Sequence, residues 1–263
     1  MHLRIGNTVI TKKRNAKTNA KENTYEIRND ACPHLMKSVA ATGIKTPTFE
    51  ARDVMTLKEF LERSSHGTEL YTALCLLHDM GRQMQALLSG GHGIACFSVD
   101  DVVIITHRDS DAFTHSDPES TLGDADPQFL FLNDRMIFEV DGSDGALLID
   151  RALNLNLNTK SAFVAPELAD LLTGPLTGPL TRVHFKAAYY SVAQLLIYFL
   201  LGPSDSDRKS DSDRKSDRQG IIRDGTSLNG TSLNLNPIKG TKLYWFLLRC
   251  LNRVPSDRSY VYV

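Results

Sequence analysis

The sequence predicts an α+β fold of two unequal parts, a small strand-rich first part and a larger, mainly helical second part. Short β-type runs occupy the first 54 residues, "TELYTALCLLHDMGRQMQALLSGG" has apolar residues at helical spacing, and "VAQLLIYFLLG" is typical of a buried helix. At 263 residues and 41% hydrophobic, the chain can bury one sizeable core or two small ones. We place the boundary between the parts at residues 54 and 55.

The first part, residues 1–54, is predicted to form short strands around one helix. The segments "RIGNTVITKK", "PHLMKSVAA" and "TPTFEA" are strand-like, and "NAKTNAKENTYEIRND" between the first two favours a short helix. The second part, residues 55–263, begins with "TLKEFLERS", whose threonine is a candidate helix cap. A longer helix follows, ends at a Gly-Gly pair, and is expected to bury one apolar face: Leu70, Leu74, Leu77, Met84 and Leu88.

Four β-type runs come next: "DVVIIT", "QFLFLN", "RMIFEV" and "GALLID". The polar stretch "HRDSDAFTHSDPESTLGDADP" between the first two predicts an exposed loop. Helices are expected again from Phe185 to Leu201 and from Thr241 to Leu251. Residues 204–236 contain short tandem repeats such as "SDSDRKSDSDRK", which predict a disordered or expanded loop.

Bulk composition excludes several classes of function. With 30 basic and 31 acidic residues the net charge is −1, so we expect neither a nucleic-acid nor a membrane partner. The longest apolar run is too short to span a bilayer and the N-terminus does not resemble a signal peptide, which predicts a soluble intracellular protein, cytoplasmic or nuclear. Four cysteines lack metal-ligand spacing and are expected to be reduced, buried thiols: Cys32, Cys75, Cys96 and Cys250.

Three ordered motifs of the second part resemble the C-terminal lobe of eukaryotic-type Ser/Thr protein kinases, including kinase-like proteins of large DNA viruses. "APE" at residues 165–167 is similar to the motif that closes the kinase activation segment. "KAAYYSVAQLLIYFLLG" is similar to the kinase core helix, and "LLRCLNRVPSDR" to the Arg-containing segment near the end of the domain. The resemblance implies a two-lobed kinase-like fold with a truncated N-lobe, and a buried ion pair between Glu167 and Arg258.

The same resemblance implies a degenerate catalytic loop. "IACFSVDD" precedes the strand "VVII", as H-R-D-L-K-P-E-N does in kinases. Aligned without gaps, Cys96 stands at the catalytic Asp, Ser98 at the Lys and Asp101 at the metal-binding Asn. A thiol does not act as a base at neutral pH without activation, whereas Asp101 retains an oxygen ligand suited to magnesium.

The position of the kinase D-F-G motif has two candidates. "FLFLNDR" puts Asn133 at the metal-binding Asp, and "LLIDRAL" puts Asp150 there. The first leaves a normal length of chain before "APE", and the second keeps the carboxylate. In the core helix, Ala188 replaces the family's Asp, which implies that the catalytic loop loses its usual hydrogen-bonded anchor.

The first part matches a kinase N-lobe only in outline. It contains no G-x-G-x-x-G phosphate loop. "TVITKK" is similar to the strand that carries the ATP-contacting lysine and nominates Lys12 as a nucleotide contact, with Glu22 or Glu26 as its ion-pair partner.

Three functional hypotheses follow from these patterns. The first is a pseudokinase that binds or scaffolds an unidentified protein partner and needs no cofactor. The second is an atypical Ser/Thr kinase that uses ATP and Mg²⁺, with Asp101 and Asp150 as metal ligands and Lys12 on the phosphates. The third is a helical structural protein, such as a virion component, which predicts no contact between Glu167 and Arg258.

Overall fold

The computed structural model describes residues 2–13, 23–63, 70–107, 126–150, 163–173, 180–201, 227–228, 231–232, 235 and 238–261. These residues form helices and antiparallel strands in the predicted α+β arrangement. Both predicted parts contribute side chains to a common buried apolar cluster. The predicted loop segments 108–125 and 204–226 lie outside the described residues.

The N-terminal sheet contains four antiparallel strands in chain order. They are β1 (His2–Ile5), β2 (Thr8–Lys13), β3 (Asn23–Arg28) and β4 (Thr48–Ala51). The turn between β1 and β2 has only two residues, Gly6 and Asn7. Gly6 has a φ of +59°, which a two-residue hairpin turn requires and glycine adopts without a steric penalty.

Two element predictions for this region are wrong. Residues 23–28 form strand β3 instead of a helix, because Tyr25 and Ile27 alternate into the core, where they are 2% and 0% exposed. "PHLMKSVAA" forms helix α1 (Pro33–Ala41) instead of a strand. Its proline occupies the first turn, and Leu35 and Val39 are buried on the same helical face.

Helices α2 (Leu57–Arg63) and α3 (Leu70–Ser89) follow. The predicted cap of α2 is confirmed as a capping box: Thr56 Oγ1 accepts a hydrogen bond from Glu59 N, and Glu59 Oε2 accepts one from Thr56 N. The predicted buried face of α3 is partly wrong. Leu70 is 54% exposed, and the fully buried residues at its centre are Leu76, Met80, Gln83 and Leu87.

Polar residues explain this rotation of α3. A second sheet has the order β5 (Asp53–Thr56), β7 (Val102–Thr106) and β8 (Gln128–Phe131), with β8 at its edge. Asp79 Oδ2 accepts a hydrogen bond from Phe129 N at 2.9 Å, and Gln83 Oε1 accepts one from Phe131 N at 2.7 Å. Polar side chains therefore face inward, since they satisfy the backbone of an otherwise unpaired strand.

A third sheet has the order β11 (Leu180–His184), β10 (Ala146–Asp150), β9 (Ile137–Asp141) and β6 (His92–Ile94). The two-residue strands β12 (Ser227–Leu228) and β13 (Thr231–Ser232) pair with each other. Strands β5, β6 and β11 were not predicted, and the predicted boundary at residues 54 and 55 falls inside β5, which pairs with β7.

The remaining helices are α4 (Pro166–Thr173), α5 (Ala187–Leu201) and α6 (Lys242–Cys250). Helix α5 is buried along most of its length, as its apolar sequence predicts. No helix among the described residues combines the length and the hydropathy needed to cross a bilayer. The four cysteines are free thiols as predicted; Cys96 and Cys250 are buried, but Cys32 and Cys75 are only partly buried, against the expectation.

Candidate functional site

The predicted ion pair between Glu167 and Arg258 is present. Arg258 Nη1 donates to Glu167 Oε1 at 2.5 Å and Arg258 Nη2 donates to Oε2 at 2.9 Å. Arg258 is 1% exposed, and its Nε donates to the carbonyl oxygen of Asn252 at 2.8 Å. The guanidinium also lies 5.3 Å from the ring centroid of Tyr190, a cation–π distance. Every nitrogen of this buried cation therefore has a hydrogen-bond acceptor.

Local structure at Glu167 and at Arg258 brings the two charged side chains together. Glu167 lies in the first turn of α4, directly after Pro166, where a carboxylate suits the positive end of the helix dipole. Arg258 follows a short 3-10 turn, Pro255–Asp257, which directs its side chain inward. The sequence resemblance therefore located a contact between residues 91 positions apart.

Residues 95–101 form a loop between β6 and β7, and α5 holds this loop through Ser191. Phe97 N donates to Ser191 Oγ at 2.7 Å, and the same hydroxyl donates to the carbonyl oxygen of Phe97 at 3.1 Å. Ala188 has no polar side chain and does not anchor the loop, and Ser191 supplies a different anchor that was not predicted. The sequence carried one signal for this anchor: Ser191 lies three residues after Ala188, on the same side of the helix.

Cys96, a member of this loop, is buried. It is 3% exposed, and its Sγ lies 3.4 Å from the carbonyl oxygens of Phe97 and Phe163. Burial raises the pKa of the Cys96 thiol to about 12. The group is therefore protonated at neutral pH and is neither a base nor a nucleophile there.

Asp101 and Asn133 meet at the other end of the loop. Asn133 Nδ2 donates to Asp101 Oδ1 at 2.7 Å, and Ser98 Oγ donates to Asp101 Oδ2 at 2.7 Å. Burial raises the pKa of the Asp101 carboxyl above its ordinary value, and the two hydrogen bonds oppose this rise without cancelling it. Of the two candidates for the D-F-G position, the structure brings Asn133, after β8, into contact with Asp101.

We call the region of Asp101, Asn133 and Asp134 the corner at Asp101, and the turn between β1 and β2 lies directly on it. Asn7 N donates to Asp134 Oδ1 at 2.9 Å, and Asn7 Nδ2 donates to Asp134 Oδ2 at 2.8 Å. Thr8 Oγ1 donates to the carbonyl oxygen of Leu132 at 2.7 Å, in a buried contact. A Cβ atom on Gly6 would meet the Asp134 carboxylate. Asn7 was not among the predicted site residues, because a contact across 127 positions leaves no local pattern.

Asp150, the other candidate for the D-F-G position, lies in a different part of the fold from Asp101. It is the last residue of β10, opposite Leu180 of β11, whereas Asp101 immediately precedes β7 in a different sheet. Across the part of the chain that the structure describes, no three His, Cys, Asp or Glu side chains are grouped closely enough to hold a metal ion.

The predicted nucleotide contact in the first part is not assembled as expected. Lys12 is exposed on β2, opposite Tyr25 of β3, and Glu22 lies outside the described residues. Glu26 pairs with Lys13 at 3.4 Å and with Arg28, whose hydrogen bond is the main cause of its lowered pKa. The alternation of β2 explains this choice, since Lys12 and Lys13 project to opposite faces of the sheet.

Comparison with models of protein families and with curated proteins gives no match for this chain. Its function is therefore inferred from the geometry of its own residues.

Proposed function

We propose that the chain is a degenerate protein kinase-like domain, a pseudokinase, which acts by binding another protein. The contact between Asp101 and Asn133 carries this proposal. In protein kinases the catalytic-loop Asn and the D-F-G Asp hold the Mg²⁺ ions. The residues aligned with those positions lie 2.7 Å apart here, with the carboxylate and the amide exchanged. The ion pair between Glu167 and Arg258 supports the same kinship, and it is the contact that the structural-protein hypothesis predicts to be missing.

Loss of phosphoryl transfer is supported by the residue aligned with the catalytic Asp. A kinase needs a carboxylate there to orient the acceptor hydroxyl and accept its proton. Cys96 instead presents a buried, protonated thiol directed at main-chain carbonyl groups. Removal of such a positioning group lowers a rate by orders of magnitude, because positioning contributes much of this catalysis.

The surrounding acceptors fit a magnesium–nucleotide complex poorly. Each oxygen of Asp101 accepts a hydrogen bond from a neutral donor, and each oxygen of Asp134 accepts one from Asn7. An incoming metal ion would have to compete with these four bonds. Lys12, the proposed phosphate contact, lies exposed on β2.

An atypical Ser/Thr kinase is the second candidate, and one observation favours it. Asp101 keeps an incompletely buried carboxylate next to Asn133 and Asp134, so oxygen ligands are concentrated at one corner. This function requires the turn at Asn7 to move away from Asp134 before an ion can bind.

Nucleotide-dependent melting tests the proposal. The full chain is heated with no ligand, with about 1 mM ATP alone, the upper end of typical KM values, and with ATP plus Mg²⁺ or Mn²⁺. A pseudokinase without a nucleotide site should show the same midpoint in every condition, and radiolabelled ATP should leave no phosphate on a general kinase substrate.

The opposite result is equally specific. A metal-dependent rise in midpoint that disappears in Asp101→Ala and persists in Lys37→Met, an exposed control on α1, would establish the second candidate. Turnover abolished by Asp150→Ala would in addition restore Asp150 as a metal ligand.

A further inference from the structure

An open groove runs along the outer side of α3, away from the corner at Asp101. Its volume is about 990 Å³, close to the upper end for small-molecule pockets. Its apolar lining comes from two sources, the side chains of α3 and two tyrosine rings: Leu74, Leu77, Met84, Leu88, Tyr189 and Tyr260.

This lining is the apolar stripe that the sequence placed on the buried face of α3. Because Asp79 and Gln83 rotate the helix toward β8, Leu74 and Leu88 of this stripe remain only half-buried. Leu77 and Met84 belong to the core and Leu74 packs against it, so the fold buries most of the stripe and leaves its outer edge at the groove.

One wall of the groove is held rigidly. The hydroxyl of Tyr260 donates to the carbonyl oxygen of Leu77 at 2.6 Å, and the Tyr260 ring packs against Gly81. The same ring lies 5.3 Å from the ring centroids of both Tyr189 and Phe246. A preformed wall lowers the entropy that a binding partner must lose on docking.

A cationic side chain lies at the groove. Arg82 and His78 line it, and no Asp or Glu is among the described residues of its lining. The only acidic residue of α3 is Asp79; its Oδ2 accepts the hydrogen bond from Phe129 N on β8, and its Oδ1 lies 3.4 Å from Nδ1 of His78, so Arg82 carries the positive charge of the groove. A partner with carboxylates beside its apolar anchors complements this surface.

We propose that the groove binds an amphipathic helix of a partner protein, with apolar residues on one face and Asp or Glu along its border. From residue 74 to residue 89, α3 extends about 22 Å at 1.5 Å per residue. A partner helix of about four turns matches this length and presents anchors at i, i+4, i+7 and i+11. The inference names the binding surface for the proposed function and rests on its binding role, not on its kinase resemblance.

Selection from a phage-displayed library of amphipathic helices, randomised on both faces, tests this inference. We expect selected peptides to carry the apolar spacing and more Asp and Glu than Lys and Arg. Fluorescence anisotropy should then show at least tenfold weaker binding to Arg82→Glu and to Leu88→Ser. Lys37→Glu, a charge reversal on the exposed side of α1, should bind like the unmodified chain, and all three variants should melt within a few degrees of it.

Three results would overturn the inference: no peptide enriched, enrichment of basic peptides, or affinity unchanged by Arg82→Glu and Leu88→Ser. Concentration-dependent dimerisation abolished by Leu88→Ser would assign the groove to a second copy of the chain instead. Kinase turnover together with normal peptide binding would reject the pseudokinase proposal and leave the groove proposal intact. An inactive chain that binds no peptide would reject the groove proposal and leave the pseudokinase proposal intact.

Discussion

Glu167 and Asp101 are two hydrogen-bonded carboxylates with different surroundings. Each oxygen of Glu167 accepts from the guanidinium of Arg258, while the oxygens of Asp101 accept from the uncharged Ser98 and Asn133. Burial therefore raises the pKa of Asp101, since no cation among the causes acting on it from the described residues offsets the loss of water. The comparison teaches that hydrogen bonds alone do not replace a counter-ion.

Glu167 and Asp101 also differ in what their surroundings do in the fold. The Glu167 region fastens α4 to the residues after α6, with a fully satisfied cation inside the fold. The Asp101 region brings several oxygen acceptors together, and they face neutral donors of the same chain. Four substitutions test this contrast.

The largest effect is expected for Glu167→Ala. This change leaves the Arg258 cation buried without a counter-ion, and the free energy of unfolding should fall by about 3–5 kcal/mol. Urea denaturation measures it. The control is Lys58→Met, which removes an exposed ion pair to Asp100 and should cost less than about 1 kcal/mol. If both variants lost the same free energy of unfolding, the ion pair between Glu167 and Arg258 would not fasten α4 to the residues after α6.

Ser191→Ala should come second, with a loss of about 1–3 kcal/mol, since the buried N–H of Phe97 would lose its acceptor. Ser89→Ala is a matched control, because the Ser89 hydroxyl is exposed at the end of α3, and it should change stability by less than about 0.5 kcal/mol. A loss as small as that of the control would show that α5 does not anchor the loop.

Gly6→Ala should destabilise the chain by about 1–2 kcal/mol, because the new residue must keep a left-handed backbone. Its Cβ also displaces Asp134, so hydrogen exchange of the Asn7 amide should accelerate. Gly142→Ala is the control, as its added Cβ enters open space. If the Asn7 amide of Gly6→Ala kept its protection against hydrogen exchange, the turn between β1 and β2 would not cover the corner at Asp101.

The smallest effect, about 1 kcal/mol at pH 7, is expected for Ser98→Ala, since the hydroxyl stabilises the ionised carboxyl of Asp101. The folded pKa of Asp101 lies above its ordinary 3.8, so the folded state binds more protons above pH 3.8 and stability falls as pH rises through that window. Ser98→Ala should steepen this fall and have less effect below pH 3.8. Urea titrations at several pH values would contradict this account if the free energy of unfolding changed with pH equally in Ser98→Ala and in the unmodified chain.

Elements governed by neighbouring residues could be predicted from the sequence. The capping box of α2 needs only Thr56 and Glu59, and the apolar run of α5 leaves few alternatives to a buried helix. The contact between Glu167 and Arg258 is long-range, and only the resemblance to kinases made it predictable.

Elements that depend on distant partners could not be predicted. Residues 23–28 form a strand because β2 and β4 flank them, which overrides a local pattern compatible with a helix. The rotation of α3 and the anchoring by Ser191 both arise from polar side chains that satisfy remote backbone groups. Hydrophobic periodicity contains no information about such bonds.

The distance along the chain between Glu167 and Arg258 has a consequence for biosynthesis. A ribosome adding about 5–20 residues per second needs roughly 5–18 seconds to extend the chain from one to the other. Throughout that interval Glu167 has no counter-ion, and α5 is synthesised before the segment that closes over it. Nascent chains paused in this window should therefore recruit chaperones and resist proteases poorly, until Arg258 emerges.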